Sequence, residues 1–529
     1  MPHHAGRTRA ATAGAALLLL VAACSGSGGR ATGGPTGSES PSGSASSSGS
    51  SASAATSVAP APVPKGLERF YAQRPKWAGC GDGFECTRVE VPVDYGRPTA
   101  GTVRLSVVRT PVSRRDGRIG SLVLNPGGPG GSGVDYARRA STVVSDAVRR
   151  RFDVVGFDPR GVGQSDPLQC LDDQATDALL GSDPTPDDPA EVRAAVAQSE
   201  NLAAQCKSHG GALLAHVDTA EAARDMDVLR AVLGDRRLNF LGKSYGTFLG
   251  ATYAEEFPRN VGRFVLDGAL DPALDEAAIN LGQAQGFERA TRSFVTDCVR
   301  RQTCPLGSDV DGAMARLQEL MRDLDSRPLP TRDPARPLTE GRGVLGIAAA
   351  MYDDEFWPVL RQALQAALNG DGSTLLLLAD ALTDRGPEGF RSNSNTVIYA
   401  VNCLDRPDRG GLAEVQRSLP RYTQAAPTWG RFLAWSELPC AYWPVKGTGR
   451  PQALRAAGSG PIVVVGTTRD PATPYAWAQG LAGQLENGHL LTYDGDGHTA
   501  YKRGSTCIDQ AVDAYLLDGQ VPRDGLRCG

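Results

Sequence analysis

Short apolar runs, many of them β-branched, recur along the chain and alternate with stretches of helical periodicity. Eight runs predict strands, at residues 87–93, 103–109, 121–124, 152–157, 238–241, 264–266, 462–465 and 490–493. The middle runs are almost wholly apolar, which is typical of strands buried on both faces of a parallel sheet. Because helical stretches such as 219–233 and 245–256 lie between them, the pattern predicts an α/β fold with a mostly parallel sheet flanked by helices.

The alternation stops at about residue 272 and resumes at about residue 460. Residues 272–459 carry Ala, Leu, Arg, Gln and Asp at helical spacing and few strand signals. We call them the helical insertion and expect them to form a mainly helical cap or lid between two late strands. The core would then comprise residues 65–271 and 460–529, with a smaller insertion at about 165–215.

The first 64 residues differ in composition from the rest. Residues 1–23 combine Arg7 and Arg9 with a short apolar run, which predicts a signal peptide. The run ends in Val-Ala-Ala-Cys and resembles a bacterial lipobox, so we expect Cys24 to be lipidated. The alternative is an ordinary secretory signal in which Cys24 has no role. Residues 24–64, rich in Ser, Gly and Pro, have too few large apolar side chains to form a core and predict a flexible tether.

These features predict an exported protein on the outer face of the cell membrane, held by its lipid, or a released secreted form. The chain as a whole is 41% hydrophobic and 22% charged, which is typical of a globular protein. A net charge of −4 gives no sign of a concentrated basic face, so we expect no nucleic-acid partner. The protein is expected to act as a monomer.

Ten cysteines remain once Cys24 is set aside, and an even number in an exported chain predicts disulfides. Other connectivities stay open, but pairing each cysteine with the next gives five short loops: Cys80–Cys86, Cys170–Cys206, Cys298–Cys304, Cys403–Cys440 and Cys507–Cys528. No two cysteines have the Cys-x-x-Cys spacing that zinc sites favour, and the chain has only six histidines, so no metal is expected.

The segment Leu-Asn-Phe-Leu-Gly-Lys-Ser-Tyr-Gly, residues 238–246, carries the clearest chemical signal. A short apolar strand leads into Gly-x-Ser-x-Gly and then into a helix of small residues. This context is typical of the nucleophile elbow of the α/β-hydrolase fold, in which the serine occupies a strained turn above the sheet. Ser244 is therefore the predicted nucleophile.

A serine hydroxyl needs a base, and in this fold the chain order is Ser, then Asp or Glu, then His. His498 follows the last predicted strand in Gly-Asp-Gly-His, while the other histidines lie before Ser244 or at the wrong end of a strand. Asp470, four residues after Gly466, is the predicted orienting acid. Asp267, after the strand at 264–266, is its rival.

The tetrahedral intermediate of acyl transfer needs backbone N–H donors. One is expected from Tyr245, directly after the nucleophile. The other is expected from the Gly-rich loop Asn-Pro-Gly-Gly-Pro-Gly-Gly-Ser-Gly at 125–133, at Gly128 with Gly127 as its neighbour.

Together with Asp-Pro-Arg-Gly-Val-Gly-Gln-Ser at 158–165 and Thr-Arg-Asp-Pro-Ala-Thr-Pro at 468–474, these motifs resemble the secreted tripeptidyl aminopeptidases of actinobacteria, relatives of prolyl aminopeptidases. Pro126 stands where the prolyl enzymes have His. The resemblance runs from about residue 67 to the C-terminus. It implies release of short peptides or single residues from substrates with a free N-terminus, under a helical cap.

An exopeptidase also needs an anion for the substrate's α-ammonium group. Acidic candidates in the helical insertion are Asp353, Asp354 and Glu355, and Asp405. Family members carry a similar Cys-x-Asp segment, which favours Asp405, with Glu355 as the second candidate. Helix capping or simple solvation is the alternative role for all four acids.

The predicted reaction is acyl transfer through Ser244, with no metal or organic cofactor. An esterase or lipase with the same triad is the first alternative, because esters and amides share this mechanism. A non-catalytic lipoprotein that binds peptides is the second.

Overall fold

The computed structural model describes residues 62–301, 303–407 and 410–529. The predicted signal peptide, the lipidation site Cys24 and nearly all of the predicted tether lie outside these residues. Within them, no helix combines the length and apolarity that crossing a bilayer requires.

A twisted sheet of ten strands forms the centre, in the order β1-β2-β3-β5-β4-β6-β7-β10-β11-β12. The described residues form twelve strands, of which β8 and β9 lie outside this sheet. They are β1 (Ala78–Gly79), β2 (Glu85–Pro92), β3 (Thr102–Thr110), β4 (Gly120–Asn125), β5 (Phe152–Phe157), β6 (Leu238–Lys243), β7 (Val261–Asp267), β8 (Arg385–Gly386), β9 (Gly389–Phe390), β10 (Ile462–Arg469), β11 (Gly488–Asp496) and β12 (Leu526–Cys528). From β5 to β12 all neighbours are parallel, whereas β1, β2 and β3 pair antiparallel. The mostly parallel sheet is therefore confirmed.

Helices cover both faces of this sheet. Before the helical insertion they are α1 (Glu68–Tyr71), α2 (Gly133–Arg138), α3 (Ala140–Val143), α4 (Asp146–Arg149), α5 (Asp173–Leu180), α6 (Pro189–His209), α7 (Thr219–Val232) and α8 (Tyr245–Glu256). The smaller insertion contains α5, α6 and a 3₁₀ turn at Gly211–Ala215. Further 3₁₀ turns span Pro258–Asn260 and Asp354–Phe356.

The helical insertion lies between β7 and β10 and also carries the two-stranded ribbon β8-β9. Its helices are α9 (Glu276–Arg300), α10 (Val310–Ser326), α11 (Glu340–Met351), α12 (Trp357–Leu368), α13 (Ser373–Leu382), α14 (Ser394–Asp405), α15 (Gly411–Ala425), α16 (Gly430–Trp435) and α17 (Leu438–Ala441). The sheet then resumes, with α18 (Tyr475–Gln484) and α19 (Thr506–Asp518) packed beside it.

Alternation along the buried strands gives the sheet two apolar faces. On β4, Val123 packs into one cluster with Phe240 and Tyr253, whereas its neighbour Leu122 packs into another with Ile508 on the opposite face. The helical insertion has a third cluster of its own, which contains buried residues of α9 to α13, α15 and α16. The insertion therefore buries a separate core rather than simply extending that of the sheet.

Four parallel strands, β4, β6, β7 and β10, end at the same edge of the sheet. Asn125, Lys243, Asp267 and Arg469 are their last residues. In open α/β sheets this carboxyl edge is where ligands bind and where catalytic residues collect. The predicted nucleophile, its acid and the Gly-rich loop all follow these strand ends.

Candidate active site

Ser244 occupies a strained turn between β6 and α8. Its backbone has φ 56° and ψ −128°, a conformation that non-glycine residues rarely adopt. A Cβ on Gly242 would lie 2.4 Å from the carbonyl oxygen of Gly246, and one on Gly246 would lie 2.7 Å from Asn125 Oδ1. Both glycines are needed because the turn and the following helix leave no space for a side chain. The Ser244 N–H donates to the carbonyl of Asp267 at 2.9 Å, which anchors the turn on β7.

The structure brings His498 and Asp470 together. His498 Nδ1 lies 2.9 Å and 3.0 Å from the two carboxylate oxygens of Asp470, which is fully buried. The carboxylate also accepts the N–H groups of Ala472, Thr473 and Thr499 at 2.8–3.1 Å. These donors fix the carboxylate's orientation, so it can hold the imidazole with its proton on Nδ1.

The other imidazole nitrogen, Nε2 of His498, is left unpaired by this arrangement. It is buried and has no hydrogen-bond partner among the described residues. A buried polar atom without a partner is uncommon in folded proteins. Catalytic hydrogen bonds often tighten only when substrate binds, and one from the Ser244 hydroxyl would satisfy this atom.

Asp267, the rival acid, occupies a different position. Its carboxylate is fully buried and accepts the N–H groups of Ala500 and Tyr501 at 2.9 and 3.0 Å. It also forms an ion pair of 3.4 Å with Lys243 Nζ. Burial lowers the pKa of this lysine, an effect that Asp267 opposes. Asp267 therefore supports the loop that follows His498, and the imidazole itself is held by Asp470.

The Gly-rich loop after β4 lies directly against the nucleophile elbow. A Cβ on Gly127, which has φ +96°, would lie 2.8 Å from Ser244 Cβ and 3.0 Å from the Tyr245 nitrogen. The Gly127 N–H donates to Asn125 Oδ1 at 2.9 Å, so it is not free to bind an oxyanion. Gly127, expected as the neighbour of the second donor Gly128, thus provides close approach and not a free N–H.

Tyr245 and Gly128 remain as the candidate oxyanion donors. Within residues 62–301, 303–407 and 410–529, neither backbone N–H donates a hydrogen bond. Tyr245 is the first residue of α8, where N–H groups have no acceptor inside the helix and the helix dipole favours negative charge. The two N–H groups therefore have the chemical capacity that an oxyanion hole requires.

The helical insertion touches the proposed base. The carbonyl of Tyr352, after α11, accepts the backbone N–H of His498 at 2.8 Å. The tyrosine ring also packs edge-on against the imidazole, with 5.2 Å between the ring centres. Burial raises the pKa of Tyr352 to about 12, so its phenol stays neutral. Arg503 donates to the same carbonyl and forms an ion pair of 3.0 Å with Asp353.

The acidic candidates for the substrate's α-ammonium group differ in accessibility. Glu355 is exposed in the 3₁₀ turn beside Tyr352, and Asp354 is exposed next to it. Asp353 forms an ion pair with Arg503. Asp405, the favoured candidate from the sequence, is 6% exposed, and its carboxylate oxygens accept the N–H and hydroxyl of Thr219 at 2.8 and 2.6 Å. That carboxylate joins two parts of the protein instead of facing an open binding site.

Two groups of possible metal ligands lie outside this site. Each brings three ligand atoms within 4.8 Å of one another among the described residues: Asp94, His216 and Glu221, and Asp183, Glu191 and Asp325. In the first group Glu221 is already paired with Arg160 at 3.0 Å. Neither group includes a residue of the predicted triad.

All five disulfides join consecutive cysteines of the described chain. They are Cys80–Cys86, Cys170–Cys206, Cys298–Cys304, Cys403–Cys440 and Cys507–Cys528. Two of them lie inside the helical insertion and one inside the smaller insertion. The cysteines alone left this pairing open.

Residues 426–528 match the family model of TAP-like proteins. Over 84% of this chain, it is 40% identical to the serine protease Hip1 of Mycobacterium tuberculosis and 38% identical to carboxylesterase B of the same organism, covering 87% and 86% of those proteins. It is 34% identical to the tripeptidyl aminopeptidase of Streptomyces lividans over 84% of this chain and 83% of that one.

Solved structures with a similar chain course include esterase E22, with a TM-score of 0.41, 12% identity and coverage of 82% of this chain and 100% of the esterase. Another is the proline iminopeptidase of Mycobacterium smegmatis, with a TM-score of 0.32, 15% identity and coverage of 82% and 98%.

Proposed function

The chain belongs to the actinobacterial tripeptidyl aminopeptidase family of α/β hydrolases, and from that membership we propose that it is an exported serine peptidase acting on free peptide N-termini. It would release short peptides, of the tripeptidyl type, or single residues. The observation that carries the proposal is the buried Asp470–His498 pair together with the strained turn at Ser244. That arrangement matches the roles of acid, base and nucleophile in acyl transfer.

In the proposed reaction, His498 accepts the hydroxyl proton of Ser244 while Oγ attacks the scissile carbonyl carbon. The N–H groups of Tyr245 and Gly128 bind the resulting oxyanion. Each such donor typically raises kcat by about 10²–10³-fold. His498 then passes the proton to the leaving amine, which departs and leaves an acyl-enzyme. Water attacks this ester with His498 as base, and Asp470 keeps the imidazole in the required tautomer throughout.

We propose that the helical insertion, residues 272–459, acts as a cap over this centre. Its own apolar core and the contact of Tyr352 with His498 support that role. Glu355 is the proposed partner of the substrate's α-ammonium group, because it is exposed beside Tyr352. Asp353 and Asp405 are already engaged by other residues.

An esterase activity is the second candidate, because a relative at 38% identity is named carboxylesterase B. The two activities separate with a substrate panel. Tripeptidyl and aminoacyl anilides, each with a free or a blocked N-terminus, are compared with short acyl esters. We expect the free tripeptidyl anilides to have the highest kcat/KM and N-terminal blocking to reduce it strongly. Ester turnover with no anilide turnover would overturn the peptidase proposal.

Covalent labelling tests the nucleophile and the non-catalytic alternative together. A fluorophosphonate is expected to label the wild-type protein and not Ser244→Ala, because only a serine activated by a base reacts rapidly. The substitution removes one hydroxyl, so circular dichroism of the variant should match the wild type. Equal labelling of both proteins, or of neither, would favour a peptide-binding lipoprotein.

We also propose that the protein is anchored by a lipid on Cys24. The lipobox-like sequence before this residue supports the proposal. In a bacterial host fed a clickable fatty acid, the wild-type protein should carry the label and fractionate with membranes. Cys24→Ser should lose both properties, and a labelled Cys24→Ser protein would rule out this anchoring site.

A further inference from the structure

One helix of the helical insertion contacts one segment that supplies a proposed oxyanion donor directly and reaches the other through Thr219. Near its N-terminus, α14 packs on the Gly-rich loop, where a Cβ on Gly130 would lie 2.5 Å from Val397 Cγ1 and 3.2 Å from Ser394 Cα. Its last residue, Asp405, reaches the start of α7 through Thr219. The disulfide from Cys403 to Cys440 braces this end of α14.

A short chain of buried hydrogen bonds continues from Asp405 to the nucleophile elbow. Asp405 Oδ2 accepts the Thr219 hydroxyl at 2.6 Å, and Thr219 Oγ1 lies 2.5 Å from the hydroxyl of Tyr245. The exposed fractions of Asp405, Thr219 and Tyr245 are 6%, 1% and 7%. Tyr245 directly follows Ser244, so the chain ends on the residue whose N–H is a proposed oxyanion donor.

The direction of these bonds follows from proton counting. Thr219 has one hydroxyl proton, and the carboxylate of Asp405 is its strongest acceptor. When Asp405 is ionised, Tyr245 must then donate its own proton to Thr219 Oγ1. The Thr219 N–H, at 2.8 Å, gives the carboxylate a second donor. Each side chain is thereby held in one orientation by a partner that is itself held.

Charged groups around Asp405 act in opposite directions. Burial, with Asp218 adding to it, raises the pKa of Asp405 to about 7, while the bonds from Thr219 and the neighbouring Arg406 lower it. The Arg406 guanidinium lies 4.8 Å from the ring centre of Phe248, one turn beyond Tyr245 on α8. Asp405 therefore contacts the first turn of α7, and Arg406 contacts the first turn of α8.

We infer that Asp405 is a positioning residue of the oxyanion hole: through Thr219 it fixes Tyr245, and α14 thereby makes the helical insertion part of the catalytic centre. The inference rests on the proposed role of Ser244 as nucleophile. It does not depend on whether the substrate is a peptide or an ester, because both pass through the same oxyanion. Asp405 touches no reacting atom and acts only through Thr219 and Tyr245.

The test uses the full-length protein and three single variants that interrupt the chain: Asp405→Asn, Thr219→Val and Tyr245→Phe. Each is assayed with a small activated ester and for the rate at which a fluorophosphonate labels Ser244, since its phosphoryl oxygen must occupy the oxyanion hole. We expect kcat and the labelling rate to fall about tenfold while KM stays within about twofold, because a misplaced donor weakens the transition state rather than ground-state binding.

Two further variants separate positioning from general stability. Thr219→Ser keeps the hydroxyl and should restore most of the activity that Thr219→Val loses. Tyr422→Phe removes an equally buried tyrosine hydroxyl, which donates to Ala277 and Glu437 inside the helical insertion, and should leave kcat unchanged.

The outcomes are distinct. Wild-type rates in folded Asp405→Asn and Thr219→Val, or a rise in KM without loss of kcat, would overturn the inference. Should those two variants fail to fold, Tyr245→Phe decides alone, because it removes only one hydroxyl. A wild-type protein that neither labels nor hydrolyses any ester or anilide would overturn the proposed function and this inference with it.

Discussion

Two fully buried aspartates lie near the proposed base, and they differ in what they hold. Asp470 contacts the imidazole of His498, whereas Asp267 pairs with Lys243 and two N–H groups of the loop after the histidine. The sequence favoured Asp470 because it follows the strand that precedes the last predicted strand before His498. It could not show that Asp267 has a structural partner, since Lys243 is recognisable as one only in the folded sheet.

A pair of isosteric variants separates the two acids. Asp470→Asn should lower kcat by about 10³–10⁴-fold, because an amide no longer holds the imidazole in the productive tautomer. Asp267→Asn leaves a buried lysine without its ion pair, so we expect a lower melting temperature but a kcat within about tenfold of wild type. Both are measured with the preferred anilide and by thermal melting. A larger loss of kcat in Asp267→Asn would assign the orienting role to Asp267 instead.

At the residue scale, the predicted Ser, Asp and His came from local motifs in a fixed order. The role of Asp405 could not be read in this way. Its partner Thr219 lies 186 positions earlier, and no periodicity or motif connects the two. Likewise, only the fold shows that the Asn125 side-chain oxygen accepts a hydrogen bond from the Gly127 N–H.

Among the elements, the loop between β4 and α2 depends most on close packing. Its glycines bring backbone against the nucleophile turn, and a Cβ on Gly127 would also lie 2.5 Å from the Lys243 carbonyl oxygen. Strands β4 and β6 beside this loop were predictable, since their apolar runs at 121–124 and 238–241 each cover four residues. The short strands β1, β8, β9 and β12 were not, because two or three residues carry no period-2 pattern.

Gly127→Ala tests this packing. The new methyl group should displace the turn that holds Ser244, so fluorophosphonate labelling should fall at least about 100-fold, comparable to losing one oxyanion donor. Gly234→Ala is the matched control. Gly234 also has a positive φ, +78°, but has no atom within 4 Å of the added Cβ. The Gly234→Ala protein should carry the same kind of backbone strain but be labelled at the wild-type rate. Labelling of the Gly127→Ala protein at the wild-type rate would show that the loop moves to accommodate the methyl group.

For the molecule as a whole, the interior holds several carboxyl groups whose ionisation the fold opposes. Burial raises the pKa of Glu221 and of Asp405 to about 7, and burial together with Asp183 raises that of Glu340 to about 8. A folded state that binds a proton more tightly than the unfolded chain loses stability as the pH rises through the raised pKa. These groups therefore stabilise the protein fully below about pH 4 and lose that contribution between about pH 4 and 8.

Glu340→Gln should change this pH dependence. At about pH 4 the wild-type carboxyl is protonated in the folded protein and largely protonated in the unfolded chain, so the two proteins should melt at nearly the same temperature. At pH 8 the variant avoids a buried charge, and its melting temperature should exceed that of the wild type by on the order of 2 °C. Glu355→Gln, at an exposed position, is the control and should show no such difference. An equal gap at both pH values would contradict the prediction.

The disulfides have a consequence for how the chain matures. The ten cysteines of the described residues pair two by two in chain order, at separations of 6, 36, 6, 37 and 21 residues. A polypeptide threaded N-terminus first into an oxidising compartment presents both members of a pair before any later cysteine arrives. Oxidation in order of emergence then yields the native bonds without reshuffling.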